Sequence, residues 1–531
     1  MATVTGMATA MAMAAMSLAS PESLRPLPAP TLTLLASLMM AMGSAAVRAQ
    51  EAEPAAPAQA QSLQTRVGLS QSWTDNLRLS PSGSKDAAMV TTVTPGVTWS
   101  SRAGWLQGSL DYALNGVAYV KTTQGSQLQN SLSANLKAEL LRSHLFVDSQ
   151  ASIGRQSQSA FGVQSTTPLI NTANSQEVAN LTVSPYLVGS LAGRVSYELR
   201  GSLARVDARG STLGDSRTHG GTLRLSSLGG GPLSLSGLLS TQQVSYPDGR
   251  ANQNDSLTLN ASYRLDADWN FSLTGGRERN DYQGGSAITG STYGGSLSWT
   301  PSARTSLAAD WRRHSYGDSH SLTLQQRWSR TVLVLSDTTN LNLGNSGGSG
   351  GIRTVYDQFY LLFASLEPDP IKRDALVRSY LQQLGLSPDA PAAGGFLNAG
   401  PSRLHSQQLS LTLQGVRGSL TFVAMRNLTS RVGSNAGQGD LAQSSLVEQR
   451  SYSLSAAHRL TPEASLSLSL ARQETDGDAN APSTQLTTYS LSFNTRLAPR
   501  LSCQLGGRHS RFDGSSPYVE NALFANLTQQ F

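Results

Sequence analysis

The stretch SLSANLKAEL, residues 131–140, alternates apolar side chains with polar or charged ones at every step. Leu132, Leu136 and Leu140 fall on one face, whereas Ser133 and Lys137 fall on the other. A period of two is typical of a β-strand with one apolar face, because successive side chains of a strand point to opposite sides. The same alternation recurs from residue 64 onward, for example at residues 106–120, 195–203, 257–263, 409–413, 466–470 and 489–496. The sequence therefore predicts an all-β protein.

Two architectures use such strands: a soluble sandwich or solenoid, and a transmembrane barrel. The polar faces here carry mostly Ser, Thr, Asn and Gln, which suits a wet lumen, and short turns alternate with long loops, as in outer-membrane barrels. We therefore predict a large transmembrane antiparallel β-barrel of about 22 strands, to within about two, with a short helical insertion. Tryptophans near the predicted strand ends fit interfacial girdles: Trp73, Trp105, Trp269, Trp299, Trp311 and Trp328.

The composition excludes several classes of protein. Charged residues make up 14% of the chain, and the formal net charge is +6 without any run of Lys or Arg. A charge so mild and so scattered argues against nucleic acid as a partner. The one cysteine, Cys503, excludes an internal disulfide framework and a cysteine-based zinc site.

Residues 1–49 are predicted to be a signal peptide. Arg25 precedes the apolar run LTLLASLMMAMGSAAV, and small residues follow to Ala49, where we place cleavage. That run is shorter than the ~20 residues of a membrane-spanning helix. The Ala/Met-rich stretch before Arg25 also fits an over-extended start. Export and strand pattern together predict the outer membrane as location. Residues 50–63 are predicted as a flexible linker, 64–343 as the first part of the barrel and 405–531 as the last part.

Residues 344–404 break the period of two. A Gly/Ser linker, GNSGGSGG, is followed by segments with helical spacing. An aspartate that can cap a helix stands before a proline at its first position, and Gly385 marks the end. This insertion is either a plug or lid for the wide barrel, or a surface excursion with its own small core. The predicted plug-helix residues are Asp369, Pro370, Val377, Tyr380, Leu381 and Leu384.

Strand parity places an excess of arginine on the lumen face. Such a lining favours anionic solutes, since rings of charged side chains set pore selectivity, although inward Arg–acid pairs could equally brace the barrel. The predicted lumen-lining residues are Arg66, Arg194, Arg200, Arg224, Arg264, Arg312, Arg327, Arg496 and Arg508.

We find no candidate catalytic residue and predict that the chain is not an enzyme. The seven histidines are spread over many strands without metal-ligand spacing, and no nucleophile elbow or phosphate loop is present. No metal site and no cofactor are predicted. An outer-membrane hydrolase with a site at the outer rim stays the least favoured alternative.

Several motifs resemble a proteobacterial family of outer-membrane β-barrels associated with PEP-CTERM/exosortase sorting and exopolysaccharide loci. They are the tetrapeptide WTDN at residues 73–76, the tripeptide TPG at 94–96, LDYALNGVAYV at 110–120 and PDPIKRDALVRSYLQQLGL at 368–386. The resemblance implies an outer-membrane conduit or accessory pore for exopolysaccharide or related anionic surface material, with polysaccharide and periplasmic export components as partners. It brings no assigned catalytic residue. A structural or adhesive surface barrel that acts through its loops is the alternative.

The chain ends in NALFANLTQQF, which reads as a closing strand with a terminal aromatic residue. Such a strand must pair with the first, so that no edge is left in lipid. We expect Leu523, Leu527 and Phe531 to form the signal that the outer-membrane assembly machinery reads. Outer-membrane lipid and that machinery are therefore expected partners.

Overall fold

The computed structural model describes residues 61–531 except 121–124, 168, 212, 283–286, 344–354, 364–366, 368, 385–394, 399, 434–437 and 479–480. The predicted signal peptide, most of the predicted linker 50–63 and the Gly/Ser linker lie outside the described residues. β1 begins at Gln61 and β16 at Ser402, slightly before the predicted barrel boundaries at 64 and 405.

The described chain is built mainly of strands. The first eleven are β1 Gln61–Thr74, β2 Ala88–Ser101, β3 Leu106–Val120, β4 Gln127–Leu141, β5 Leu145–Ser157, β6 Ser175–Leu191, β7 Val195–Ala208, β8 Ser216–Ser227, β9 Leu233–Ser245, β10 Ala251–Arg264 and β11 Trp269–Asp281. The others are β12 Ile288–Ser302, β13 Thr305–His314, β14 Gly317–Arg327, β15 Thr331–Asn342, β16 Ser402–Gln414, β17 Gly418–Arg431, β18 Leu446–Arg459, β19 Ala464–Gly477, β20 Thr484–Ala498, β21 Leu501–Asp513 and β22 Tyr518–Gln530.

These strands form one closed antiparallel sheet of 22 strands. Each strand pairs with its neighbours in the sequence, and β22 pairs with β1, with Ser70 opposite Asn526 and Trp73 opposite Leu523. Closure leaves no sheet edge unpaired, which is what a strand structure in lipid requires. The predicted fold, a large antiparallel barrel of about 22 strands with a helical insertion, is confirmed.

The apolar and polar faces separate as the alternation predicts. Leu259 and Leu273 point outward from the middle of their strands and are 64% and 73% exposed. Their strand neighbours Thr258 and Thr274 point into the barrel. A band of exposed leucines around a barrel is the surface that lipid tails cover.

Aromatic residues border this band at both ends. Trp269 and Trp299 stack with ring centroids 5.3 Å apart where β11 and β12 approach short turns. Tyr293 and Trp311 make an edge contact at 6.0 Å toward the opposite end. We call the end with the short connections the turn end and the other the loop end. The two aromatic rows fit the girdles expected at the two membrane interfaces.

In the described part of the chain three helices interrupt the sheet: α1 Val355–Leu362, α2 Pro370–Leu384 and the single turn α3 Asp440–Gln443. The first two belong to the connection between β15 and β16, and α2 contacts β3, β18 and β19. Since five strands of the closed sheet separate β19 from β3, a helix that contacts both lies inside the barrel. Among the described residues, no helix combines the length and apolarity needed to cross a bilayer.

Candidate functional site: a plugged lumen

The helical insertion has a small apolar core of its own. Phe359 and Phe363 of the first helical segment pack against Val377 and Leu381 of α2, and both α2 residues are fully buried. The cluster extends to Ala457 on the lumen face of β18. The insertion is therefore docked onto the barrel wall, which favours the plug over the surface excursion.

The start of α2 uses the predicted capping residue. Asp369 accepts a hydrogen bond from the backbone N–H of Lys372 at 3.3 Å, and its carbonyl accepts one from the N–H of Arg373 at 2.9 Å. Pro370 opens the helix, where its missing N–H costs nothing. Leu384 is its last residue. The sequence thus specifies the helix start locally, without help from the barrel.

Tyr380 fixes α2 near the turn end of the lumen. Its ring lies 5.4 Å from that of Phe359 and 5.1 Å from that of Phe363, centroid to centroid. Its hydroxyl contacts the hydroxyl of Thr421, close to the start of β17. Burial raises the pKa of Tyr380, so the phenol stays neutral. The aromatic contacts and the hydroxyl pair hold the helix deep inside the barrel.

A second attachment reaches a different part of the barrel wall, β3, through Arg378. Its guanidinium lies 3.4 Å from a carboxylate oxygen of Asp111 on β3, and it also binds Asp374 on its own helix at 3.0 Å. Arg66 of β1 donates two hydrogen bonds to Asp111, at 2.7 and 2.8 Å. Asp111 therefore links Arg378 of the insertion to Arg66 of the barrel wall.

The environment of Arg378 stabilises its charge. Burial alone would lower its pKa, but Asp111 and Asp374 outweigh this effect and raise the pKa above its ordinary value. Tyr356 donates a hydrogen bond from its hydroxyl to Asp374, and the guanidinium lies 4.9 Å from the Tyr356 ring centroid. A buried charge with this many partners is costly to remove on one side only.

Gly96 makes the wall side of this network possible. A Cβ built at Gly96 would come within 3.0 Å of the Arg66 guanidinium carbon. The absence of a side chain there lets Arg66 lie across β2 to reach Asp111. Gly96 belongs to the motif TPG at residues 94–96. This motif marks the position of the contact in the sequence, but the strand periodicity does not reveal why glycine is needed there.

The loop end is bridged by the segment that leaves the plug. The N–H of Leu397 donates to the carbonyl of Ser157 on β5 at 3.0 Å, and the Leu397 side chain is fully buried beside Val206 and Leu213. At the other end of the segment, the N–H of Val432 donates to the carbonyl of Pro401 at 3.2 Å. The described residues of this segment thus contact β5 on one side and the residue after β17 on the other, at the loop end of the barrel.

A second closure joins two long loops through Asp440. Its carboxylate accepts hydrogen bonds from the hydroxyl of Ser159 at 2.7 Å and from the N–H of Ala160 at 2.6 Å. Asp440 is buried, and this burial raises its pKa. We call this contact between the loops 158–174 and 432–445 the loop clasp.

Beside the plug a cavity of about 1200 Å³ remains. Its walls are the lumen faces of β1–β3 and β18–β22, mostly Ser, Thr, Asn and Gln, and on the plug side Phe359, Asp374 and Arg378. Arg66, Arg496 and Arg508 also line it. A space of this size, with many hydroxyl and amide groups on its walls, can hold solvated solutes.

The predicted lumen arginines fall into two groups. Four form ion pairs inside the barrel: Arg66 with Asp111, Arg200 with Asp148 and Glu198, Arg312 with Asp310, and Arg508 with Glu520. The pairs of Arg66, Arg200 and Arg508 join different strands, which is the bracing arrangement of the alternative interpretation, whereas Asp310 and Arg312 lie on the same strand.

The other predicted arginines lie toward the turn end. Four of them lie on strands, within the few residues nearest the turn end: Arg224, Arg264, Arg327 and Arg496. The fifth, Arg194, lies in the turn between β6 and β7 rather than on the lumen wall. Within the described part of the chain none of these five forms an ion pair.

Arginine is concentrated at the turn end as a whole. All short turns except 228–232 contain or adjoin an arginine, and among the described residues none of these guanidinium groups has an ionic partner. The acids in or beside the turns are Glu139, Asp266, Asp268 and Glu463. We call the set the basic ring: Arg102, Arg142, Arg194, Arg264, Arg304, Arg327, Arg330, Arg417, Arg459, Arg496 and Arg500.

The predicted assembly residues lie on the seam that closes the barrel. Leu523 and Leu527 point outward from β22 and are exposed, with Leu523 opposite Trp73 and Leu527 opposite Leu69 of β1. The N–H of Phe531 donates to the carbonyl of Thr65 at 2.9 Å. Their reading by an assembly machinery stays a prediction.

The closed strand barrel, its apolar belt and its docked insertion define a β-barrel of the outer-membrane type with helices in its lumen. No protein-family model and no curated protein sequence matches the chain. Among solved structures it is similar to the FrpB iron transporter from Neisseria meningitidis (F3-3 variant), with 10% identity over 88% of this chain and 81% of that one and a TM-score of 0.49.

Two further solved structures are similar at lower scores. Pseudomonas aeruginosa OccK2 (OpdF), in complex with glucuronate, has 9% identity over 88% of this chain and 98% of that one, with a TM-score of 0.34. Acinetobacter baumannii OccAB4 has 7% identity over 90% of this chain and 100% of that one, with a TM-score of 0.28.

Proposed function

We propose that this chain is an outer-membrane conduit for anionic surface material, with surface polysaccharide as the cargo class, and that the helical insertion closes it at rest. We orient the barrel with its short turns toward the periplasm and its long loops toward the outside of the cell, as is usual for outer-membrane barrels. The motifs of this chain resemble those of the exosortase-associated barrels, which supports an anionic polysaccharide as the cargo.

The observation that carries the proposal is the basic ring. Its guanidinium groups are free of ion pairs within the described residues, whereas the arginines in the middle of the lumen and at the loop end mostly bind acids. Unneutralised cations around an opening raise the local concentration of anions and admit them in preference to cations. Arginine also binds carboxylates in bidentate fashion, which suits acidic sugars.

The cavity beside the plug fits the same role. It opens along walls of hydroxyl and amide side chains and contains Arg496 of the basic ring. A polymer of acidic sugars needs such weak and repeated polar contacts, because tight binding at one place would stop its movement.

The test is the ion selectivity of the opened barrel in planar bilayers under a KCl gradient. A chain without residues 344–401 gives the open pore, and oligogalacturonate added at the turn end is the polymeric probe. We expect a reversal potential on the anion side and a concentration-dependent block by the probe. A variant with Arg264→Gln, Arg327→Gln and Arg496→Gln should lose most of both effects.

The matched control removes the same charge at the loop end, by Arg205→Gln, Arg426→Gln and Arg511→Gln. These arginines point outward and are already paired with Asp207, Glu448 and Asp513. The control should keep the selectivity. A cation-selective open pore, or equal behaviour of the two triple variants, would overturn the proposal.

A further inference from the structure

Two histidines and an aspartate from adjacent strands meet on the outer surface of the barrel. Nε2 of His320 on β14 lies 2.9 Å from Oδ1 of Asp337 on β15, and Nε2 of His405 on β16 lies 2.8 Å from the same oxygen. The three ligand atoms lie within 4.8 Å of one another. The side chains are about one-third exposed, at 34%, 27% and 27%.

Strand register creates this cluster. His320 and His405 both stand opposite Thr339, one on each side of β15, and Asp337 precedes Thr339 by two residues and therefore shares its face. In the sequence the histidines are 17 and 68 residues from the aspartate. The sequence gives no signal for this cluster, because no spacing rule links residues that only the sheet brings together.

A fourth residue orients the carboxylate. Gln407 on β16 donates from Nε2 to Oδ2 of Asp337 at 3.0 Å, which leaves Oδ1 to the two imidazoles. The His320 and His405 rings meet nearly edge-on, with centroids 5.5 Å apart, so both nitrogens point to one side of the carboxylate. Hydrogen bonds that fix a ligand from behind are typical of metal sites.

We propose that His320, Asp337 and His405 bind a divalent transition metal ion of the zinc type. Two imidazole nitrogens and one carboxylate oxygen are ligands such ions prefer, with water completing the coordination. Bonds of about 2.0–2.1 Å in a tetrahedron place ligand atoms roughly 3.3 Å apart. The Nε2–Oδ1 distances here are slightly shorter, and all three ligand atoms lie within 4.8 Å of one another, so side-chain rotation has to bring them to this spacing.

The cluster lies where an ion can reach it from water, and where a bound ion would link two strands. His320 pairs with Trp311 of the aromatic row at the loop end, so the site lies at the membrane interface rather than among lipid tails. β15 ends at Asn342 and β16 begins at Ser402, the two points between which the insertion is placed. A bound ion therefore ties together the two strands that carry the plug.

The test is Zn²⁺ binding to the untagged full-length protein in detergent, by isothermal titration, with Co²⁺ absorption as a second readout of coordination. We expect one equivalent of Zn²⁺ and visible Co²⁺ bands with the intensity of a four- or five-coordinate site. Both should be lost in His320→Ala and in His405→Ala. Gln407→Ala should weaken binding about tenfold, because it removes the support behind the carboxylate.

The matched control is His219→Ala, which removes an exposed histidine from β8. Heat-modifiable migration checks that each variant is folded, and His405→Gln replaces His405→Ala if the latter is not. Absence of binding to the wild-type protein would show that the imidazoles simply donate to Asp337, and would overturn the proposal. Undiminished binding in the His320 and His405 variants would overturn it equally.

Discussion

Arg378 on the plug helix lies 3.4 Å from Asp111 on the barrel wall. Asp111 is held at the same time by both terminal nitrogens of Arg66 and by the hydroxyl of Thr98 at 2.6 Å. The plug is thus attached to a carboxylate that the wall has already positioned. This pair joins the helical insertion to β1–β3, whereas the apolar cluster joins it to β18.

Replacing Arg378 by alanine should loosen the plug. The change leaves Asp374 buried without its ionic partner and removes the link to Asp111, at a cost of about 3 kcal/mol. We expect frequent openings in single-channel recordings where the wild-type protein is mostly closed. Lys372→Ala is the control, because Lys372 is exposed on the same helix. Equal closure of both variants would show that the ion pair does not hold the plug.

Truncating Leu381 should have a similar effect through packing. Its side chain is fully buried between the plug and β18, so Leu381→Ala leaves a cavity and costs about 2–5 kcal/mol. The plug segment should become sensitive to protease while the barrel keeps its heat-modifiable migration. Ser379→Ala, at an exposed position of α2, should remain resistant. Resistance of both variants would contradict the docked plug.

A neighbouring pair on β11 tests which face meets lipid. Leu273 points outward and Thr274 points into the lumen, where its hydroxyl donates to Asn260 at 3.0 Å. Arginine at an outward position near the bilayer centre costs about 2–4 kcal/mol, whereas a wet lumen tolerates it. Leu273→Arg should therefore lower the stability of the barrel in lipid vesicles, measured by urea unfolding, far more than Thr274→Arg. The reverse order would contradict the assignment of faces.

The loop clasp should depend on pH through Asp440. Its carboxyl has a pKa above the ordinary 3.8 when the clasp is closed, because the group is buried. Protonation therefore favours the closed form: the contribution is fully present below the ordinary pKa and is lost as the pH rises through the raised one. The loop 158–174 should therefore be cleaved faster by protease as the pH rises through the raised pKa of Asp440. The rates are corrected for the pH dependence of the protease itself.

Asp440→Asn is the control for that experiment, because an amide does not titrate. The variant should show no pH dependence of cleavage in this range. A clasp that opens on acidification in the wild-type protein would contradict the sign of the shift.

The barrel was predictable because its signals are local. Alternation such as that of Leu132 to Leu140 fixes which face of a strand is apolar, and short turns set the strand boundaries closely enough to count strands. The helix at Asp369 was predictable for the same reason, since capping and proline act within one turn.

The site depends on contacts that no local pattern contains. Parity placed Arg66 in the lumen, but only the register of β1, β2 and β3 shows that it is bound to Asp111 and therefore braces the wall. Likewise, His320 and His405 meet at Asp337 because β14, β15 and β16 are neighbours. Pairing across a sheet depends on the whole topology. The sequence therefore predicts an excess of arginine on the lumen face, but not which of these arginines form ion pairs.

The conductance of single molecules in a planar bilayer tests the plugged conduit most directly. The wild-type protein and a chain without residues 344–401 are compared, with the double variant Asp111→Asn and Arg378→Ala as an independent way to release the plug. We predict a mostly closed wild-type protein, a large and steady conductance after deletion, and intermittent openings of similar size in the double variant. Equal conductance of the wild-type and deleted proteins would contradict the account.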